Sequence, residues 1–201
     1  MIAIIDYGAG NLFSVKNACD FLGIETEVTK DESVLERAKG IILPGVGAFP
    51  EAMKKLEASG LIDSIKVQAK KKPLLGICLG MQMLLDYSTE FEKTAGLGLI
   101  EGYVDLIDSK ELKLPHIGWN DLKTHQESPL LKNTRDGDYV YFVHSYACVC
   151  EEKYILASTG YGSMIPAVIG KGNVFGAQFH PEKSADVGLD ILRCFRELVE
   201  N

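Results

Sequence analysis

Three short runs, Ile2-Ala3-Ile4-Ile5, Ile41-Ile42-Leu43 and Leu74-Leu75-Gly76-Ile77, are apolar at almost every position, and each leads through a glycine-bearing turn into a stretch of helical spacing. A strand with no polar face has to be covered on both sides, which an antiparallel meander facing water cannot do. The pattern predicts an α/β chain: an open, mostly parallel sheet with helices on both faces. The intervening segments fit. Asn11 is placed to cap a helix carrying Leu12, Val15, Ala18, Cys19 and Leu22, with Gly23 as its stop. A second strand is expected near Thr26–Thr29, and helices over Ser33–Ala38, Pro50–Glu57, Leu61–Lys71 and Leu79–Tyr87. The Lys70-Lys71-Lys72 run belongs at a helix end, where cations suit the dipole.

The second half changes character. Segments near 99–107, 138–150, 154–159, 165–169 and 173–179 read as strands separated by turns, with little helix. They predict antiparallel strands added to the sheet or forming a smaller second one. Ser184 is expected to cap a last helix running through Leu198. No linker or repeat divides residues 1–201, so a single domain is expected.

The charge balance narrows the partners. Twenty-one basic against 28 acidic residues give a net charge of −7, opposite to a protein that tracks phosphate backbones. The longest apolar stretch, Leu74–Met81, has eight residues, against about 20 needed to span a bilayer. Met1–Ile5 lacks the basic lead of a signal peptide. Five cysteines (Cys19, Cys78, Cys148, Cys150 and Cys194) form no disulfide framework or zinc pattern, so a cytoplasmic location and no metal are expected.

In a parallel sheet, ligands gather at the carboxyl ends of the strands, which directs attention to the loops after Ile5, Leu43, Ile77 and Phe179. Gly76-Ile77-Cys78-Leu79-Gly80 is the thiol counterpart of a nucleophile elbow. The turn lifts the side chain above the sheet, and the glycines allow close backbone approach. The following helix favours thiolate at its N-terminus and leaves the Leu79 N–H free for an oxyanion. A buried core cysteine between two packing glycines is the alternative. Among the four histidines, His144 and His180 end predicted strands. His180 is favoured as the base because Pro181 keeps it extended, so that Glu182 points the same way and orients the imidazole. Pro44-Gly45-Val46-Gly47 offers backbone N–H groups for an anion but lacks a P-loop pattern, and Gly8-Ala9-Gly10 lacks the third glycine of a dinucleotide site.

Pro44-Gly45-Val46-Gly47, Gly76-Ile77-Cys78-Leu79-Gly80-Met81-Gln82 and His180-Pro181-Glu182, in that order along the chain, resemble the class I glutamine amidotransferases. The starting segment Ile4–Asn11, the stretch Pro115–Asn120 and Phe142–Tyr146 further resemble the glutaminase subunits of imidazole glycerol phosphate synthase, apart from Ala147, where a second aromatic often follows Tyr146. The resemblance implies a glutaminase with Cys78 as nucleophile and His180 and Glu182 completing a triad. It implies an oxyanion hole from the amides of Leu79 and of Val46 or Gly47. Substrate contacts would come from Gly45, Gln82, Glu90, Ser145 and Tyr146, with His144 a pocket or structural residue. No cofactor is implied. The implied partner is a (β/α)₈-barrel cyclase, bound as a heterodimer near Asn11 and Trp119, to which ammonia passes. Three alternatives remain open on sequence: a glutaminase of another pathway, a γ-glutamyl hydrolase, and a non-catalytic binding module on the same fold.

Overall fold

The computed structural model describes residues 1–201. Strands β1 (Ile2–Ile5), β2 (Thr26–Thr29), β3 (Gly40–Gly45) and β4 (Leu74–Cys78) are the predicted parallel set. The helices between them are α1 (Leu12–Phe21), α2 (Glu32–Arg37), α3 (Phe49–Ala58) and α4 (Ile62–Ala69). Alternation along each strand divides the core between two faces. Ala3, Ile5, Ile41 and Leu43 pack with Leu35, Phe49, Leu56 and Ile65 from α2, α3 and α4. Ile2, Ile4, Ile42, Leu75 and Ile77 pack on the other side with Val15 and Cys19 of α1. That second face is completed by Ile191, Leu192 and Phe195 of the C-terminal helix. Lys72, just past α4, donates to the carbonyls of Leu35, Glu36 and Ala38, so it closes the end of α2.

Beyond β4 a four-residue helix, α5 (Leu79–Gln82), leads to short strands β5 (Tyr87–Ser88), β6 (Thr94–Ala95) and β7 (Tyr103–Leu106). The helix expected over Leu79–Tyr87 therefore stops after one turn. Asp86 explains part of this: its side chain accepts from Gly102 N–H, and its backbone bonds to Gly96 and Gly102 in place of a helical neighbour. There follow β8 (His116–Asp121), β9 (Lys123–Thr124), β10 (Tyr139–His144), β11 (Tyr146–Val149), β12 (Ile155–Tyr161), β13 (Ser163–Lys171), β14 (Val174–Ala177) and α6 (Ala185–Glu200).

The main sheet has the order β2-β1-β3-β4-β14-β13-β12-β9; β7 and β11 join β5 and β6 in a four-stranded sheet, and β8 pairs with β10 in a ribbon. Both expected uses of the second-half strands thus occur. One of those strands differs from expectation: β14 lies parallel to β4, as a fifth parallel strand. The tight turn at Gly172 reverses the chain after β13, so β14 runs back in the direction of β4 and delivers its carboxyl end beside that of β4.

Two expected caps are also corrected. Neither Asn11 nor Ser184 makes a side-chain bond to its helix. Ser184 Oγ instead donates to His180 O at 2.7 Å and accepts from Tyr141 N–H at 2.9 Å. Asp31 does cap α2, accepting from Ser33 N–H at 2.8 Å.

The elbow glycines are required by contact. A Cβ on Gly80 would lie 1.9 Å from Leu43 O, and one on Gly76 2.6 Å from Gly80 O. Gly80→Ala should therefore lower unfolding stability by about 3 kcal/mol or more, since backbone on both sides must move. Urea denaturation of the two proteins measures it, and an unchanged midpoint would contradict the packing.

Candidate active site

Cys78 ends β4 with φ 55° and ψ −113°, a backbone conformation that side chains rarely adopt. Such geometry costs on the order of 1–3 kcal/mol and persists where the surroundings impose it. Here α5 turns away immediately and Gly45, Gly76 and Gly80 pack backbone to backbone. The sulfur faces a cavity of about 560 Å³ whose lining includes Val46, Gly47, Leu79, Gln82, Glu90, Ser145, Tyr146 and His180. A larger cleft of about 790 Å³, around residues 124–134, includes His125, whose Nε2 is taken up by the buried Ser158 hydroxyl at 2.7 Å. No three His, Cys, Asp or Glu side chains converge as a metal site.

His180 reaches the cavity from the turn after β14 and is extended, at φ −98° and ψ 99°. Its Nδ1 lies 2.8 Å from Glu182 Oε1, and both side chains are almost wholly buried. The residues after His180 depart from the expected extended path: Pro181–Lys183 form a 3₁₀ turn, which brings the carboxylate back under the ring. Glu182 Oε2 is buried without a partner, so its charge is directed chiefly at the imidazole. Burial pulls the His180 pKa down, but Cys78 and Glu182 outweigh it and raise the value to about 9.

A raised pKa stabilises the protonated folded form. Its contribution is complete below the ordinary histidine value near 6.5 and is lost as pH rises through about 9. Between those limits the protein should lose roughly 2–3 kcal/mol relative to His180→Asn, in denaturant titrations run across pH 6 to 10. Parallel stability curves for the two proteins would contradict the assignment.

His144 also lines the cavity, but both its nitrogens are engaged. Nδ1 donates to Tyr146 O at 2.8 Å, and Nε2 accepts from His116 Nδ1 at 3.1 Å. Burial pulls its pKa to about 4, with the neighbouring His116 and His180 adding to the effect. It is neutral at physiological pH and has no free nitrogen with which to serve a thiol.

The glycine loop gives one correction. Ile41 N–H donates to Pro73 O and Leu74 N–H to Asn173 O, each at 2.9 Å, so residues of β4 point alternately to β3 and β14. Gly45 pairs with Cys78, and the alternation then sets the Leu79 N–H on the Gly45 carbonyl. The Leu79 amide, expected to be free, is occupied because the strand ladder continues one residue past the elbow. Gly45 itself holds this ladder end, while Val46 and Gly47 line the cavity.

Glu90 Oε2 accepts from Phe49 N–H at 2.7 Å, which fixes the carboxylate at the cavity wall. Gln82 donates through Nε2 to Tyr146 O at 2.9 Å and to Gln178 Oε1 at 3.0 Å. Asn11 and Trp119 lie away from the cavity. Trp119 is not a core aromatic: it is half exposed on the β8–β10 ribbon, edge-on to Tyr141 at 6.1 Å. Sequence reasoning placed none of Gln178, Phe91, Leu106, Pro115 or Val143 in the site, although Pro115 and Val143 belong to the stretches that carry the resemblance; all but Gln178 line the cavity and Gln178 lies behind it. A glutamine within the apolar run Val174–Phe179 was the available signal for one of them.

The family model for glutamine amidotransferase class-I matches residues 3–196. The chain belongs to the class I glutamine amidotransferases. This amidotransferase is 50% identical over 200 residues to the imidazole glycerol phosphate synthase subunit HisH of Listeria monocytogenes, covering 98% of the chain and 96% of that protein. It is 48% identical over 201 residues to the same subunit of Bacillus cereus, covering 100% and 96%. A crystal structure of a glutamine amidotransferase superposes over 100% of both chains with a TM-score of 0.78 at 21% identity. The structure of PurLQS from Thermotoga maritima gives 0.75 at 21% identity over 96% of each chain. The last two comparisons establish the fold. The protein is thus an enzyme of the amidotransferase class, and no helix in it is long and apolar enough to cross a membrane.

Proposed function

We propose that the chain is the glutaminase subunit of an imidazole glycerol phosphate synthase, acting as one domain through a Cys78-His180-Glu182 triad. The observation that carries this reading is a strained cysteine sharing one cavity with a histidine whose far nitrogen is held by a buried carboxylate. The Cys78 thiolate attacks the side-chain carboxamide carbon of glutamine, and the carbonyl electrons move onto oxygen. His180, protonated at neutral pH, gives its proton to the departing nitrogen as the C–N bond breaks, releasing ammonia and leaving a thioester. His180 then takes a proton from water, whose hydroxide adds to the thioester. Collapse expels the Cys78 thiolate and yields glutamate.

Both tetrahedral species carry an oxyanion. The amides of Leu79 and of Val46 or Gly47 would hold it once the Gly45 carbonyl leaves the Leu79 N–H. Gln82 retains Oε1 for the substrate after donating both amide hydrogens, Glu90 is sited for its ammonium group, and Ser145 and Tyr146 complete the wall. No cofactor enters these steps.

Residues 1–201 form an open amidotransferase sheet and two small ones, not a closed (β/α)₈ barrel, so the acceptor chemistry is assigned to a separate fold. A barrel cyclase in a heterodimer, seated near Asn11 and Trp119 in the cytoplasm, is the consumer. The test mixes the chain with a (β/α)₈-barrel cyclase and its ribulosyl-formimino substrate, using glutamine labelled with nitrogen-15 in the amide. Labelled imidazole product is expected. Label found only as free ammonia would overturn the partner, and cleavage of γ-glutamyl peptides by the chain alone would favour a hydrolase.

A further inference from the structure

We propose that Gln178 is a positioning residue for the nucleophile: its side-chain amide N–H holds the Cys78 sulfur and favours the thiolate. This deepens the glutaminase reading, since it rests on Cys78 being the nucleophile.

The orientation of the amide follows from its neighbours. Tyr146 O is a carbonyl and only accepts, so the Gln82 group 2.9 Å from it is the NH₂. The second hydrogen of that NH₂ faces Gln178 at 3.0 Å, which makes the facing atom Gln178 Oε1. Gln178 Nε2 is then the end turned toward Cys78, 3.8 Å from Sγ. Reversing either amide would set two acceptors or two donors against each other. His144 Nδ1 donates to the same Tyr146 carbonyl at 2.8 Å, which anchors the start of the chain. Gln178 is wholly buried and Gln82 nearly so, and neither competes with solvent for these bonds.

A fixed donor on sulfur stabilises the anion more than the thiol. The opposing contact is Val143 O, 4.0 Å from Sγ, which takes a hydrogen only from the thiol. The helix after Cys78 has one turn, too few aligned peptides to supply a large dipole. Side chains therefore carry the activation: His180 as counter-ion and Gln178 as neutral donor.

The experiment follows Cys78 alkylation by iodoacetamide against pH, without glutamine, reading the Cys78 peptide by mass spectrometry. Burial pushes the thiols of Cys19, Cys148, Cys150 and Cys194 above the ordinary value, so they react little. Gln178→Met keeps the volume and removes the donor. Its midpoint should rise by about one pH unit, a tenfold loss of thiolate below the midpoint. Gln178→Glu keeps the acceptor for Gln82 and, ionised, sets a charge against sulfur; its midpoint should rise at least as far. A folded Met variant with a midpoint within about 0.3 unit of the parent overturns the proposal. Should the Met variant not fold, the Gln178 side-chain NH₂ signal of the unsubstituted protein, followed by nitrogen-15 NMR, must titrate with Cys78, and an unresponsive signal overturns it. Failure of the glutaminase reading would instead appear as turnover surviving the loss of Cys78.

Discussion

Replacing Cys78 with alanine should reduce glutamine hydrolysis by at least about four orders of magnitude, because the nucleophile carries most of a triad's acceleration. The loss belongs to kcat. Gln82, Glu90, Ser145 and Tyr146 keep their places on the cavity wall, so glutamine should still bind to the variant within a few fold, by calorimetry. Alanine inherits the positive φ of residue 78, so the strain persists and the melting temperature should move little. Turnover within about tenfold of the parent would remove Cys78 from the mechanism.

Turnover by the chain alone should be slow and should rise roughly a hundred- to a thousandfold when the barrel cyclase and its ligand are bound. The magnitude is that of one oxyanion donor. In the structure the Leu79 N–H is bound to Gly45 O, so an oxyanion over Cys78 lacks that donor until the Gly45–Val46 peptide turns. Glycine at 45 permits such rotation, while the bulk of β3 and β4 stays in register. Glutamate release should be measured for the chain alone, with the partner, and with partner and ligand. The gain should appear in kcat with little change in KM. Equal rates in the three mixtures would show that the ladder end does not restrain catalysis.

Much of this was legible from local pattern. The all-apolar runs dictate a sheet covered on both faces, and the spacing of Gly76, Cys78 and Gly80 dictates the elbow. What remained hidden is set by contacts distant in sequence. The direction of β14 depends on which strand it lands beside, and nothing in Val174–Ala177 records β4. The occupied Leu79 amide depends on ladder parity between two strands more than thirty residues apart. Ser184 looks like a helix cap by composition, yet its hydroxyl is engaged by Tyr141 and His180. The early end of α5 is a similar case, since Asp86 takes its partners from Gly96 and Gly102.

Tyr141 presents its ring to Trp119 on the outer ribbon, while its main chain is tied to the turn that carries the base: its N–H donates to Ser184 Oγ at 2.9 Å and its carbonyl accepts from His180 N–H at 3.1 Å. The two attachments use only atoms common to nearly every amino acid. The outward side chain at 141 is therefore free to drift over generations, or to be redrawn by an engineer seeking a new companion protein, with the histidine staying where it is. Proline is the exception, since it has no hydrogen to give Ser184.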